Sequence, residues 1–212
     1  MNAPLIVKLP PPRRLDADSS GLRMSAKEFL AVKDWDPTFR YELFNGVVVV
    51  NAAASLQEGD PNEELGYLLR RYAEDHPKGI ALYATCYERD VRIDETNVRR
   101  ADRCVWLTRE EEFEPDATPP DIALEFVSPG RRNAERDYIF KKMDYQKIGV
   151  REYWIIDRFK RTMTVHYLPP ADLETRIVTE KESYSTPLLP GFKLPLKRIL
   201  QKADRWAKKK KE

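Results

Sequence analysis

The sequence has only two cysteines, Cys86 and Cys104, and two histidines, His76 and His166, among 212 residues. Neither cysteine belongs to a CxxC pair. That leaves no material for a disulfide framework and almost none for a structural zinc site. Both cysteines sit in apolar, strand-like runs and read as reduced core thiols of a cytoplasmic protein. Charge of one sign is also lacking: 37 basic residues meet 35 acidic ones, for a net charge of +2. A global electrostatic argument for a nucleic-acid partner is therefore absent, and any basic footprint has to be local. No long apolar run occurs, and the opening "MNAPLIVKLPPPRR" breaks at its prolines, so neither a signal peptide nor a membrane span is expected. No P-loop, GxGxxG, HExxH or GxSxG element is present. Nucleotide-driven, dinucleotide, zinc-protease and serine-elbow chemistries are thus unsupported.

What is present is a hydrophobic content of 42% and a charged content of 34%, enough for one folded domain with a charge-rich surface. Residues 1–23, rich in proline and polar side chains, are expected to form a flexible N-terminal arm. A single domain is expected over 24–200, with a basic tail over 201–212 that ends in "KKKK". Ser25 and Glu28 form a capping box ahead of a short helix. Asn45-Gly46 between two apolar runs predicts a hairpin of strands over 40–44 and 47–51, because both turn positions want positive φ.

"NAAASLQEGDP" reads as a loop. From Pro61 to Asp75, Leu65, Leu68, Leu69 and Tyr72 recur at helical spacing. Strands are expected over 81–93, 102–108 and 121–127, with an acidic loop between the last two and a helix over 133–148 ended by Gly149. "REYWIID" and "RTMTVHYL" read as a second hairpin. Single helices between strands, then a terminal hairpin, predict an α/β fold around one mixed sheet.

Glu42, Asp102 and Glu125 are carboxylates standing where strands should be core. Alternate strand residues share a face, so Asp102 goes with Cys104 and Trp106, and Glu125 with Ala123 and Val127. If the two strands are neighbours, both carboxylates converge and need a cation or a shared proton. A hard divalent ion meets that need with oxygen ligands. Equally, each acid could sit at a strand end in water or pair with a nearby arginine, and spacing alone leaves both readings open. On the helix that follows, Asp137, Lys141 and Tyr145 fall at i, i+4 and i+8. Ile139, Phe140 and Met143 are expected to form its buried face, with Lys141 beside it and able to swing toward a sheet carboxylate.

The ordered set "RYELFNGVVVV", Asp102 before an apolar strand, "LEFVSP", Asp137-x-x-x-Lys141-x-x-x-Tyr145, "GVREYW" and "LPGFKLPL" resembles the Uma-two family of restriction-endonuclease-like proteins, in the PD-(D/E)XK nuclease superfamily. The resemblance runs from about Met24 to Leu200. It implies a restriction-endonuclease-like α/β fold, a central mixed sheet flanked by helices in a single domain. It also implies a metal-dependent endonuclease using Mg²⁺ or Mn²⁺ on nucleic acid, with DNA the expected substrate. Asp102 matches the acid of the PD element and Glu125 that of the (D/E)XK element, the two metal ligands. The lysine of that element would fall on Val127, and Lys141 matches its replacement. Glu42 matches a third acid. Asp137 and Tyr145 would hold the lysine.

The sequence departs from the family pattern at Ala101, where proline is usual, and at Asn62, near a position that often carries histidine. Asn62 could hydrogen-bond a phosphate but is no base at neutral pH. The rival expectation is a non-catalytic module on the same fold that binds nucleic acid or protein. A second copy of the chain is a further candidate partner, and no membrane association is expected.

Overall fold

A computed structural model describes residues 14–110, 113–114, 117–130, 136–169 and 174–207, with only the backbone of residues 136 and 137. The tail lysines 208–211, most of the expected arm and the centre of the acidic loop lie outside the described residues. The chain divides into two compact units. One comprises residues up to Ala53 together with Asp94–Val98, the other Ala54–Ile93 and everything from Arg99 onward.

The smaller unit contains β1 (Arg14–Leu15), α1 (Ala26–Ala31), β2 (Asp34–Trp35), β3 (Phe39–Phe44) and β4 (Val47–Ala52). Residues 14–23, expected in the arm, are built into this unit. Leu15 is buried with Phe29, Tyr41, Leu43 and Val48, and Tyr41 donates to the Leu15 carbonyl at 3.1 Å. An apolar residue with core to join overrides the polar composition around it. α1 starts at the predicted box, the Ser25 N–H donating to Glu28 Oε2 at 2.7 Å and the Glu28 N–H to Ser25 Oγ at 3.2 Å. β3 and β4 pair antiparallel, closed by Asn45 and Gly46 at φ of 50° and 72°, as an Asn-Gly turn requires.

The larger unit begins with α2 (Leu56–Asp75). Residues 56–60, expected as loop, are its first turn. Ser55 and Glu58 form a second capping box, with the Ser55 N–H donating to Glu58 Oε2 at 2.9 Å, and Pro61 is carried inside the helix. Then come β5 (Leu82–Arg92), β6 (Val98–Leu107), β7 (Ile122–Phe126), α3 (Lys141–Lys147), β8 (Glu152–Asp157), β9 (Thr162–Tyr167) and β10 (Glu174–Thr179). The short strands β11 (Ser183–Tyr184) and β12 (Leu194–Pro195) and the helix α4 (Leu196–Asp204) complete it. Just before α3, Arg136–Phe140 form a turn of π-type. The strand order is β10-β9-β8-β7-β6, with β5 also on β6. β7 and β8 are parallel, whereas β10–β9, β9–β8 and β7–β6 pair antiparallel, which makes the sheet mixed. A parallel pair needs a long crossover, and the stretch carrying α3 supplies it.

Helices flank both faces. On one, Leu65 and Leu69 of α2 and Ile199 and Leu200 of α4 join Leu124, Trp154 and Val165 of the sheet in one apolar cluster. On the other, Tyr145 of α3 joins Cys104, Ala123, Tyr153 and Ile155. α4 was not expected. It runs across the anticipated start of the tail, because Leu196, Ile199, Leu200 and Ala203 are buried at helical spacing. Cys86, expected in the core, is exposed on β5, whereas Cys104 is buried, and both are free thiols. Among the described residues no helix is long and apolar enough to cross a membrane.

Candidate active site

All five residues of β7 are buried. Ile122, Leu124 and Phe126 enter the cluster with α2 and α4, and Ala123 enters the one with α3. By alternation Glu125 faces α3. Its Oε1 lies 2.9 Å from Lys141 Nζ and accepts a hydrogen bond from the Tyr145 hydroxyl at 3.0 Å. Lys141 donates further to the Arg100 carbonyl at 3.2 Å. The buried carboxylate in mid-strand thus meets an ammonium from the next helix. Both side chains are almost wholly removed from water, at 3% exposure for Glu125 and 2% for Lys141, where neither charge is tolerable alone.

α3 is turned the other way from the expected orientation. Ile139, Phe140 and Met143 are exposed at 52%, 46% and 65%, and Lys141 and Tyr145 point inward. The i, i+4 polar stripe is the one that can meet Glu125. Satisfying a buried carboxylate outweighs covering three apolar side chains, each worth about 1.5–3 kcal/mol when fully buried.

Asp102 stands at the same place in the sheet. β6 and β7 pair Arg103 with Leu124, so the next position sets Asp102 opposite Glu125. There Asp102 Oδ2 accepts the backbone N–H of Phe126 at 2.7 Å. The strand is fixed from α2, since Asn62 Nδ2 donates to the Asp102 carbonyl at 2.8 Å. Asn62 Oδ1 in turn accepts from Arg103 Nε at 2.7 Å, and the Asn62 carbonyl accepts from Arg103 NH2 at 2.9 Å. Asn62 is therefore bonded to β6 through both atoms of its amide group, a structural role.

The sequence reading also missed Arg99, a buried cation whose Nε lies 2.7 Å from Asp144 Oδ2 of α3. Only its place in the strand carrying Asp102 could have drawn notice. The field of Glu125 reaches its neighbours: burial first, then this carboxylate, pushes the Cys104 thiol well above its ordinary range.

Glu42 is buried on β3 of the smaller unit, opposite Val49. The Asp137 side chain lies outside the described residues. Tyr145, expected to hold the lysine, donates its hydroxyl to Glu125 Oε1, and its ring is buried 5.0 Å from that of Tyr153. Val127 is buried in the cluster beside α3, so the position of the superfamily lysine offers no cation. Among the described residues no three Asp, Glu, His or Cys side chains form a ready cage for a metal ion. Asp102 and Glu125 remain a donor pair that fits Mg²⁺, which keeps several waters and takes one or two carboxylates.

A family model for Uma2, described as "Putative restriction endonuclease", matches residues 26–197. The chain belongs to the Uma2 family. Among solved structures it is similar to one described as a putative nuclease of DUF820 from Anabaena variabilis, with a TM-score of 0.66 and 18% identity over 85% of this chain and 99% of that one. That likeness carries the fold, which is restriction-endonuclease-like. No curated protein matches the chain.

Proposed function

We propose that this Uma2 protein is a divalent-metal-dependent nuclease that hydrolyses phosphodiester bonds in nucleic acid, DNA being the expected substrate. The observation that carries the reading is the buried Lys141 ammonium on the Glu125 carboxylate, one backbone position from the Asp102 carboxylate. Asp102 and Glu125 would hold Mg²⁺ or Mn²⁺. Such an ion polarises a phosphate and lowers the pKa of a bound water. Lys141 acts through its Nζ, which orients the attacking water and offsets negative charge on the reacting phosphate. Tyr145 is a positioning residue: its hydroxyl fixes Glu125 Oε1 and so the carboxylate's rotamer. Glu42 is assigned as a further acid of the site and Asp137 as a support for Lys141, both by family position. Two free thiols support a reducing, cytoplasmic setting.

One observation favours a second reading. The Lys141–Glu125 pair balances its charge without any metal ion, as a purely structural pair would in a binding module on this fold. Cleavage assays on a panel of nucleic acids with Mn²⁺ separate the two. Wild type should cleave and Glu125→Gln should not. Lys141→Ala should lose about 100-fold in rate, the scale of one lost charge-stabilising group, with Mn²⁺ affinity changed far less. Lys142→Ala, one residue on and about 100° around the helix, is the control. No metal-dependent cleavage by wild type on any substrate would leave the binding module as the function.

A further inference from the structure

α3 spans 7 residues, too few to hold a helix by propensity alone, so its neighbours decide which side of it faces the sheet. Apolar spacing favours the side that carries Ile139, Phe140 and Met143, yet these side chains are exposed. The turn of π-type over Arg136–Phe140 takes in one residue more than an α-turn. One residue is about 100° of rotation, the difference between Lys141 facing Glu125 and Lys141 facing away. α3 is therefore held by polar contacts in a register that apolar burial opposes.

β6, the strand of Asp102, grips α3 from two successive residues. The Arg100 carbonyl accepts from Lys141 Nζ at 3.2 Å. Arg99 Nε lies 2.7 Å from Asp144 Oδ2, and the Arg99 side chain is buried. Lys141, Asp144 and Tyr145 stand at i, i+3 and i+4, on one side of the helix. The two grips differ in stiffness. Lysine has a long, flexible stem, so its ammonium could follow Glu125 through a range of helix positions. The aspartate side chain is short and fixes the backbone that bears it. A buried guanidinium is costly without a carboxylate, so this contact is not readily given up. We propose that Arg99 is a positioning residue of the site: through Asp144 it fixes the rotation of α3 that brings the Lys141 ammonium and the Tyr145 hydroxyl to Glu125. The expected effect on rate rests on the nuclease reading, whereas the effect on the placing of Lys141 does not.

The test reads that placing in the full chain and does not need cleavage. A buried, ion-paired lysine ammonium exchanges its protons slowly and gives its own signal in a ¹H–¹⁵N spectrum. The signal missing from the double variant Glu125→Gln with Lys141→Met is that of Lys141. Arg99→Met with Asp144→Ala removes both charges of the clamp together, so that neither is stranded. This variant should stay folded, and its Lys141 protons should exchange with water about tenfold faster or more. With Mn²⁺ and a cleavable nucleic acid, kcat should fall about 10- to 100-fold, the scale of a misplaced catalytic group, while KM changes far less. Asp144→Glu keeps a carboxylate within reach of Arg99 and should match wild type in both readouts. An unchanged Lys141 signal in the folded double variant would overturn the assignment. Failure of the double variant to fold, or an Asp144→Glu variant no better than Asp144→Ala, would make the pair part of the fold alone and overturn it too. Cleavage by the double variant at the wild-type rate overturns the positioning role and leaves the nuclease. Faster Lys141 exchange in the double variant, with no cleavage by wild type, supports the positioning of Lys141 and removes the nuclease.

Discussion

Glu125 and Lys141 are each nearly absent from solvent, and removing one member of a buried ion pair leaves the other's charge uncompensated, at a cost of about 3–5 kcal/mol. Glu125→Gln keeps the shape of the side chain but strands the ammonium 2.9 Å away. Urea denaturation in EDTA should therefore show Glu125→Gln less stable than wild type by about 3 kcal/mol. The double variant Glu125→Gln with Lys141→Met should regain much of that loss, because no buried charge then lacks its partner. Equal stability of Glu125→Gln and wild type would remove the ion pair from the account of the fold. At this scale the sequence was half legible. A carboxylate inside "LEF" announced a missing cation, since its burial is costly alone. Lys141 was nameable as a cation within reach of a sheet carboxylate. That its stripe, and not Ile139, Phe140 and Met143, is the buried face was not legible, because Arg136–Phe140 form a turn of π-type whose offset a regular helical count does not include.

Elements with caps and turns were readable, and elements held by distant partners were not. Asn45-Gly46 and the Ser25–Glu28 box act within four residues, so local chemistry decides them. The start of α2 is the exception among capped elements: Ser55 and Glu58 form the same kind of box, but no apolar period precedes Pro61 to mark a helix there. α3 was rotated because its inward stripe is chosen by Glu125 on another strand. The contact of α2 with β6 is equally non-local, and it gives Gly66 a role that no pattern reveals. A Cβ on Gly66 would fall 2.6 Å from Arg103 NH2 and 2.9 Å from Cζ. The guanidinium is buried and bonded to Asn62 and to Thr85 Oγ1, and burial already holds its pKa below the ordinary arginine value. Gly66→Ala should gain up to about 1 kcal/mol in helix propensity. It should lose more by displacing a buried cation from its acceptors, each worth about 1.5–3 kcal/mol when charged. A net loss of about 2 kcal/mol in denaturant unfolding is expected; a stabilised variant would show that Arg103 can move at no cost.

For the molecule as a whole, strand order was the part least open to sequence reasoning, since it depends on which of several apolar runs become neighbours. The order β10-β9-β8 places His166 of β9 beside Tyr153 and Thr175, where it is buried and Nδ1 lies 2.8 Å from Thr175 Oγ1. Among the described residues Nε2 has no hydrogen-bond partner. Burial, aided by the charge of Lys142, lowers the pKa of this imidazole to about 4. In the unfolded chain the value returns to about 6.5. Between those two values the unfolded chain binds a proton that the native state refuses, so stability rises with pH across the window. Read downward, His166 contributes its full stability above pH 6.5, loses it progressively as the pH falls, and has lost it near pH 4. The whole swing is at most about 3 kcal/mol. Unfolding free energies of wild type and His166→Phe, measured in urea at steps from pH 7.5 to 4.5, isolate this term, because the carboxylates titrate alike in both proteins. The difference between them should shift in favour of His166→Phe as the pH drops, by about 2.5 kcal/mol over that range. A difference that stays constant with pH would mean that the imidazole accepts its proton in the folded state. The sheet face beneath α3 would then be open to water beside the residues assigned to catalysis, and the low dielectric on which the Lys141–Glu125 pair depends would be lost with it.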